Sequence, residues 1–277
     1  MDRWLINGKE SLFLNANDRG LAYGDGVFET IAVRGSRGRF LDKHLSRLNL
    51  GCERLKIPTT DLVQLPKEIK HLIDINSCNN GVLKIIVTRG ISDRGYYYND
   101  ATINPSRLLG ISNLQSFNSP NDIKVRYCTT IASRNSKLAG IKSLNRLPQV
   151  LARAECDDEN YDEGIMFDEL GNAIGGTMTN IFIVHGQKLI TPPVHESGIA
   201  GIMRDQIMVV SEKLGIKTNE SYFDKSLLEN AQEVFLSNSL IGIWPVNNLE
   251  NVSFSIGPIT KSIQSELFKL GVIECQP

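Results

Sequence analysis

The chain has 277 residues, 41% of them hydrophobic and 22% charged, the balance of a globular protein with a full core rather than a disordered one. Thirty basic against 31 acidic side chains leave a net charge of −1, which excludes any strong electrostatic case for a nucleic-acid partner. The length is about 1.8 times a typical domain of roughly 150 residues, enough for one large domain or two smaller ones.

The opening Met1-Asp2-Arg3-Trp4-Leu5-Ile6-Asn7-Gly8 has no apolar signal core, and no apolar run approaches the ~18 residues of a membrane span. Cys52, Cys78, Cys128, Cys156 and Cys275 are odd in number, scattered, and without a C-x-x-C pair. The four histidines show no H-x-x-x-H spacing, so no metal site is expected. These features read as a cytoplasmic chain with reduced thiols and no membrane partner.

In chain order, short strands are expected at 4–6 and 11–14, with the turn former Asn7-Gly8 between them. A third strand follows over 26–33. Asp42 is then the expected N-cap of a helix in which Leu45, Leu48, Cys52 and Leu55 form one apolar stripe. A helix is expected over 60–75, kinked or shifted by Pro66, and strands over 82–87 and 107–111. The polar run 114–121 is the expected linker between a smaller domain, 1–113, and a larger one, 122–277.

Beyond it come a strand over 123–130, a helix over 147–159, and short strands over 164–167, 173–174, 180–184 and 188–191. Helices over 202–214 and 259–270 and strands over 233–237 and 241–246 complete the chain. Strands and helices mix without strict alternation, so two α+β domains are expected rather than one doubly wound sheet.

Four local features could carry chemistry. Gly24-Asp25-Gly26 precedes a strand and has no Gly-Lys-Ser/Thr after it, so by itself it reads as a turn rather than a phosphate loop. Lys142 lies among apolar residues of Leu138-Ala139-Gly140-Ile141-Lys142-Ser143-Leu144; it is either a desolvated amine fit for imine chemistry or an ammonium reaching to the surface. Gly201-Ile202-Met203-Arg204 opens a helix whose free amides could bind an anion, with the hydroxyls of Ser237-Asn238-Ser239 as further donors. Arg47, near the apolar stripe, is either a cationic clamp or a member of a surface ion pair.

Taken in order, Asn7-Gly8, Asp18-Arg19-Gly20, Tyr23-Gly24-Asp25-Gly26-Val27-Phe28-Glu29-Thr30, 44–48, 142–147, Gly201-Ile202-Met203-Arg204 and Pro245-Val246 resemble the fold-type IV pyridoxal phosphate (PLP) enzymes. That group holds the branched-chain and D-amino-acid aminotransferases and 4-amino-4-deoxychorismate lyase, and the resemblance spans nearly the whole chain. It implies a two-domain α+β fold of the D-amino-acid aminotransferase kind, PLP as cofactor, and a homodimer whose active sites lie near the subunit boundary. Arg89-Gly90-Ile91-Ser92-Asp93-Arg94-Gly95-Tyr96 and Gly140-Ile141-Lys142-Ser143-Leu144-Asn145-Arg146-Leu147 look most like the lyase. The lyase splits aminodeoxychorismate into 4-aminobenzoate and pyruvate on the way to folate.

Residue by residue, the family's aldehyde-binding lysine matches Lys142 and its phosphate-pairing arginine matches Arg47. The phosphate-cradling amides match Ile202 and Met203, and the hydroxyl of the later loop matches Ser239. Thr30 and Arg94 are candidates for the substrate pocket. One departure stands out: five residues before Asn180-Ile181-Phe182 the group usually carries a glutamate that pairs with the pyridine nitrogen, and this chain has Gly175. Thr177, Thr179 or a water is left to serve the nitrogen. A weak electron sink harms an aromatising elimination less than a transamination, so Gly175 favours the lyase; an aminotransferase and a PLP-binding protein with impaired turnover are the alternatives.

Overall fold

The computed structural model describes residues 3–99, 103–113, 123–157 and 161–276. The chain divides into two compact units, Met1–Ser116 with Ile141–Asn145, and Phe117–Gly140 with Arg146–Pro277. The linker expected over 114–121 lies outside the described residues. The short return of 141–145 to the first unit was not expected from the sequence, and it carries Lys142.

Unit 1 contains β1 (Trp4–Ile6), β2 (Lys9–Glu10), α1 (Arg19–Tyr23), β3 (Gly26–Arg34), β4 (Arg37–Gly38), α2 (Leu41–Arg54), α3 (Leu65–Ile75), β5 (Asn80–Thr88) and β6 (Ser106–Asn113). The strands form one sheet in the order β2-β1-β6-β5-β3-β4. Period-two alternation sends Val27, Ile31, Leu83, Ile85, Val87 and Leu109 to one face, where they bury against Leu48 and Cys52 of α2 and Leu65, Ile69 and Leu72 of α3. Phe28, Thr30, Lys84 and Ile86 take the opposite face and stay half-buried.

Three local expectations are corrected. The hairpin at Asn7 (φ 51°) and Gly8 (φ 79°) closes at once, so the second strand is Lys9–Glu10 and not 11–14. Among the described residues no strand forms over 11–14, where only the Ser11 amide reaches back to the Trp4 carbonyl and Phe13 stands 87% exposed. The N-cap of α2 is Phe40, left-handed at φ 51°, and Asp42 sits in the first turn, where its charge still favours the helix dipole. The span 60–75 is a 3₁₀ turn, Thr60–Gln64, followed by α3, in which Pro66 occupies the first turn where no amide is needed.

Unit 2 contains β7 (Lys124–Tyr127), α4 (Leu147–Asp157), β8 (Glu163–Phe167), β9 (Ala173–Gly176), β10 (Asn180–His185), β11 (Lys188–Thr191), α5 (Ile202–Lys213), β12 (Thr218–Glu220), α6 (Lys225–Glu229), β13 (Glu233–Asn238), β14 (Gly242–Pro245), β15 (Asn248–Leu249), β16 (Val252–Ser253) and α7 (Pro258–Lys269). Two five-stranded sheets result, β12-β11-β10-β13-β14 and β16-β15-β7-β8-β9. Their core joins Val125 and Ile165 of one sheet to Ile181, Ile183, Val234 and Leu236 of the other. Among the described residues no helix is long and apolar enough to cross a membrane.

Candidate active site

In unit 1 the segment 141–145 adds itself to the start of β3. The Phe28 amide donates to the Lys142 carbonyl at 2.9 Å, the Leu144 amide to the Gly26 carbonyl at 2.9 Å, and Val27 bridges Ser143. Lys142 is therefore fixed by backbone pairing between buried Ile141 and buried Ser143. Its Nζ stands 4.3 Å from the Phe28 ring centroid, and Lys84 Nζ stands 4.0 Å from the same ring. An aromatic face attracts a cation at this range, and Phe28 holds two. Burial pushes the Lys84 ammonium below its ordinary pKa, against the pull of Glu29.

Glu29 follows Phe28 and takes the opposite, core side of β3. Its Oε1 accepts from Arg47 Nε at 2.8 Å, and its Oε2 accepts from Arg47 Nη2 at 2.6 Å and meets His44 Nδ1 at 2.6 Å. Burial works to raise the Glu29 pKa, but the His44 bond, the Arg47 bond and the Arg47 charge together bring it below the ordinary value. Burial lowers the pKa of His44, and the Glu29 contact does not fully offset it. The pair is thus a neutral imidazole donating through Nδ1 to a carboxylate, which fixes the tautomer. Arg47 belongs to a buried cluster, its side chain 10% exposed against 1% for Glu29, and not to a surface ion pair.

Thr30 is half-buried on the same strand face as Phe28, opposite Lys84 across the β3–β5 pair. Arg94 stands exposed on the loop after β5. That loop is gripped from beneath: Arg19 donates to Ser92 Oγ, the Gly95 carbonyl and the Tyr96 carbonyl at 3.0, 2.9 and 3.2 Å. Gly24, the left-handed cap of α1 at φ 64°, is the turn expected of it. The neighbouring Asp25 holds both Arg19 and Arg89.

In unit 2, α5 starts at Gly201 with no side-chain cap. Ile202 and Met203 open its first turn, where helix amides have no intrahelical acceptor and can bind an anion. A Cβ on Gly201 would collide with Asn180 Oδ1, so the helix start lies hard against the head of β10. Ser239 is half-buried in the turn after β13, and the buried Ser237 hydroxyl beside it has no hydrogen-bond partner among the described residues.

Sequence reasoning missed Glu163. At the first position of β8 it is fully buried, and both carboxylate oxygens are occupied. Oε1 accepts from the amides of Gly164 and Thr177 at 2.9 and 3.0 Å and from the Thr177 hydroxyl at 2.5 Å. Oε2 accepts from the Met178 amide at 3.2 Å and the Thr179 hydroxyl at 3.1 Å. The signal was present: an acid heading the apolar run Gly164-Ile165-Met166-Phe167 must find donors. A Cβ on Gly176 would fall 2.8 Å from this carboxylate, whereas one on Gly175 would meet the Thr179 carbonyl oxygen at 2.7 Å. Glu163 therefore fills the Gly176 side and does not replace a carboxylate at Gly175. Each threonine hydroxyl has a single proton, and Glu163 accepts both, so neither can donate to a pyridine nitrogen as well.

A family model, Amino-transferase class IV, matches residues 26–249. The chain is 37% identical to the 4-amino-4-deoxychorismate lyase of Pseudomonas aeruginosa, whose crystal structure superposes with a TM-score of 0.89 over 96% of this chain and 98% of that one. It is 29% identical to an aminodeoxychorismate lyase of Vibrio harveyi, over 95% of this chain and 98% of the relative. A D-alanine aminotransferase of Bacillus licheniformis is 28% identical, over 95% of each chain.

Proposed function

The chain belongs to the class IV aminotransferases, enzymes of the fold-type IV architecture that depend on PLP, and we propose that it is a lyase converting 4-amino-4-deoxychorismate to 4-aminobenzoate and pyruvate. The observation that carries this reading is the 37% identity to the Pseudomonas lyase over almost the full length of both chains. Gly175 supports it, because aromatisation of the product drives an elimination that tolerates a weaker electron sink.

The residues present fit the cofactor. A 12-residue helix begins without a side-chain cap, and its first amides suit a phosphate dianion. In this reading Ile202 and Met203 donate their amides to the phosphate, Ser239 its hydroxyl, and Arg47 the charge, with the guanidinium oriented by Glu29. PLP supplies an aldehyde carbon for amine attachment and a conjugated ring that accepts an electron pair. Lys142 Nζ would hold that aldehyde in the absence of substrate; once the substrate's 4-amino group displaced it there, the freed amine would take the substrate's ring proton as enolpyruvate departs. The proton held at Nζ balances the one that enolpyruvate gains in becoming pyruvate. Thr30 and Arg94 are assigned to the substrate's polar groups. A cytoplasmic homodimer completes the reading.

Formation of 4-aminobenzoate by the purified protein tests it directly. D-alanine aminotransferases match at nearly the lyase's identity, and they favour a second reading, amino transfer. Incubation with D-alanine separates the two: an aminotransferase converts its cofactor to the amine form and bleaches the absorbance, whereas the lyase leaves it unchanged.

A further inference from the structure

The Glu163 carboxylate sits where three elements of unit 2 converge. It accepts five hydrogen bonds, more than the roughly four lone-pair sites of a carboxylate hold without sharing, and among the described residues no cation pairs with it. Four of the five donors belong to Thr177, Met178 and Thr179, the turn between β9 and β10. The turn is closed by the Gly176 amide on the Thr179 carbonyl at 2.8 Å. A buried charge met chiefly by the donors of one turn organises that turn, because another conformation of it would strand most of the charge's partners.

Two contacts run outward from the turn, one to each part of the anion site. Asn180, the next residue, donates from Nδ2 to the Ile199 carbonyl at 2.9 Å and presses Oδ1 against Gly201, where α5 begins. Met178, inside the turn, accepts at its carbonyl from Asn238 Nδ2 at 3.3 Å. Asn238 in turn accepts the amides of Leu240 and Ile241 at 2.8 and 3.0 Å, and so shapes the loop that holds Ser239.

We propose that Glu163 is a positioning residue for a phosphate monoester: through the 176–179 turn it sets the α5 amides and the Ser239 loop in register with each other. The proposal deepens the PLP reading and rests on it. Glu163 itself touches no ligand.

The test compares PLP with pyridoxal, which lacks the phosphate, in titrations of the full-length apoprotein. The wild type prefers PLP. Glu163→Gln leaves a donating amide facing turn donors, and Thr177→Val removes one hydroxyl at nearly constant shape; each should cut the PLP-to-pyridoxal affinity ratio about tenfold. Thr177→Ser, which keeps the hydroxyl, should retain the wild-type ratio. General loss of stability would weaken both ligands alike and leave the ratio standing. An unchanged ratio in Thr177→Val, or in a folded Glu163→Gln, overturns the proposal. If the wild type itself fails to prefer PLP, the phosphate reading fails and the proposal falls with it.

Discussion

The segment that carries Lys142 is held to β3 by two backbone hydrogen bonds, one of them at the Lys142 carbonyl, and the Lys142 Nζ lies over the Phe28 ring. Lys142→Ala is expected to abolish covalent trapping of PLP by borohydride while leaving the protein folded, since the segment is paired through its backbone. Persistent trapping on the variant would remove Lys142 from the mechanism. The Glu29–His44–Arg47 cluster predicts acid sensitivity. His44 has a folded pKa below its ordinary 6.5, so the unfolded chain takes up the proton first as the pH falls. The stability it contributes is complete above 6.5 and declines as the pH drops through that value towards the lower folded one. Glu29, also lowered, adds a second decline beginning below its ordinary 4.5. Thermal midpoints should therefore fall between about pH 7 and about pH 5, and His44→Gln should flatten that limb while leaving the more acidic one. A midpoint independent of pH over this range in the wild type would show that the cluster does not carry the linkage.

At the scale of elements, β9 decides what can be done about Gly175. Adding a glutamate there looks, from sequence, like restoration of a missing acid. In the structure Gly175 has φ 157°, at the edge of the range that side chains avoid, and its Cβ would meet the Thr179 carbonyl at 2.7 Å. That carbonyl also accepts the Gly176 amide that closes the turn. Gly175→Glu should therefore loosen PLP, by roughly tenfold if the turn shifts at a cost near 1.4 kcal/mol, rather than raise turnover. Tighter PLP with faster turnover would mean that the strand adjusts freely. Much around this point was legible beforehand. Apolar strand composition and turn punctuation marked β3, β5, β8, β10 and β13, and helix signals marked α2, α4, α5 and α7. Lys142, Arg47 and the Gly201 helix start were assigned through the family resemblance, since their residue types alone left ordinary structural roles open. Glu163 and Glu29 were not singled out: an acid heading an apolar run implies donors, but most of those donors lie 14 to 18 residues away in sequence and are identified only when the chain folds. The return of 141–145 to unit 1 was hidden for the same reason: its pairing partner lies in a strand more than a hundred residues earlier.

At the scale of the whole molecule, the surface of α4 bears on assembly. Leu147, Val150 and Leu151 are 74, 60 and 60% exposed, and their i, i+3, i+4 spacing puts them on one face of the helix. Ala152 and Cys156 of the same helix are buried in unit 2, so the core already has its own apolar residues from α4. An apolar stripe left outside a filled core is a contact surface in waiting, and the homodimer in the proposed reading offers a second copy to cover it. Burial of such side chains contributes about 1.5–3 kcal/mol each, enough in combination to hold a dimer at micromolar concentration. Light scattering should report a dimer, and Leu151→Glu, by placing a charge in the contact, should raise the dissociation constant on the order of a hundredfold. A wild-type monomer at micromolar concentration would sink the homodimer itself. A dimer indifferent to Leu151→Glu would keep the assembly but move its interface elsewhere. The exposed Tyr96 and Tyr97, on the loop that Arg19 grips, are then the next surface to substitute, because a loop already immobilised loses little entropy on forming a contact.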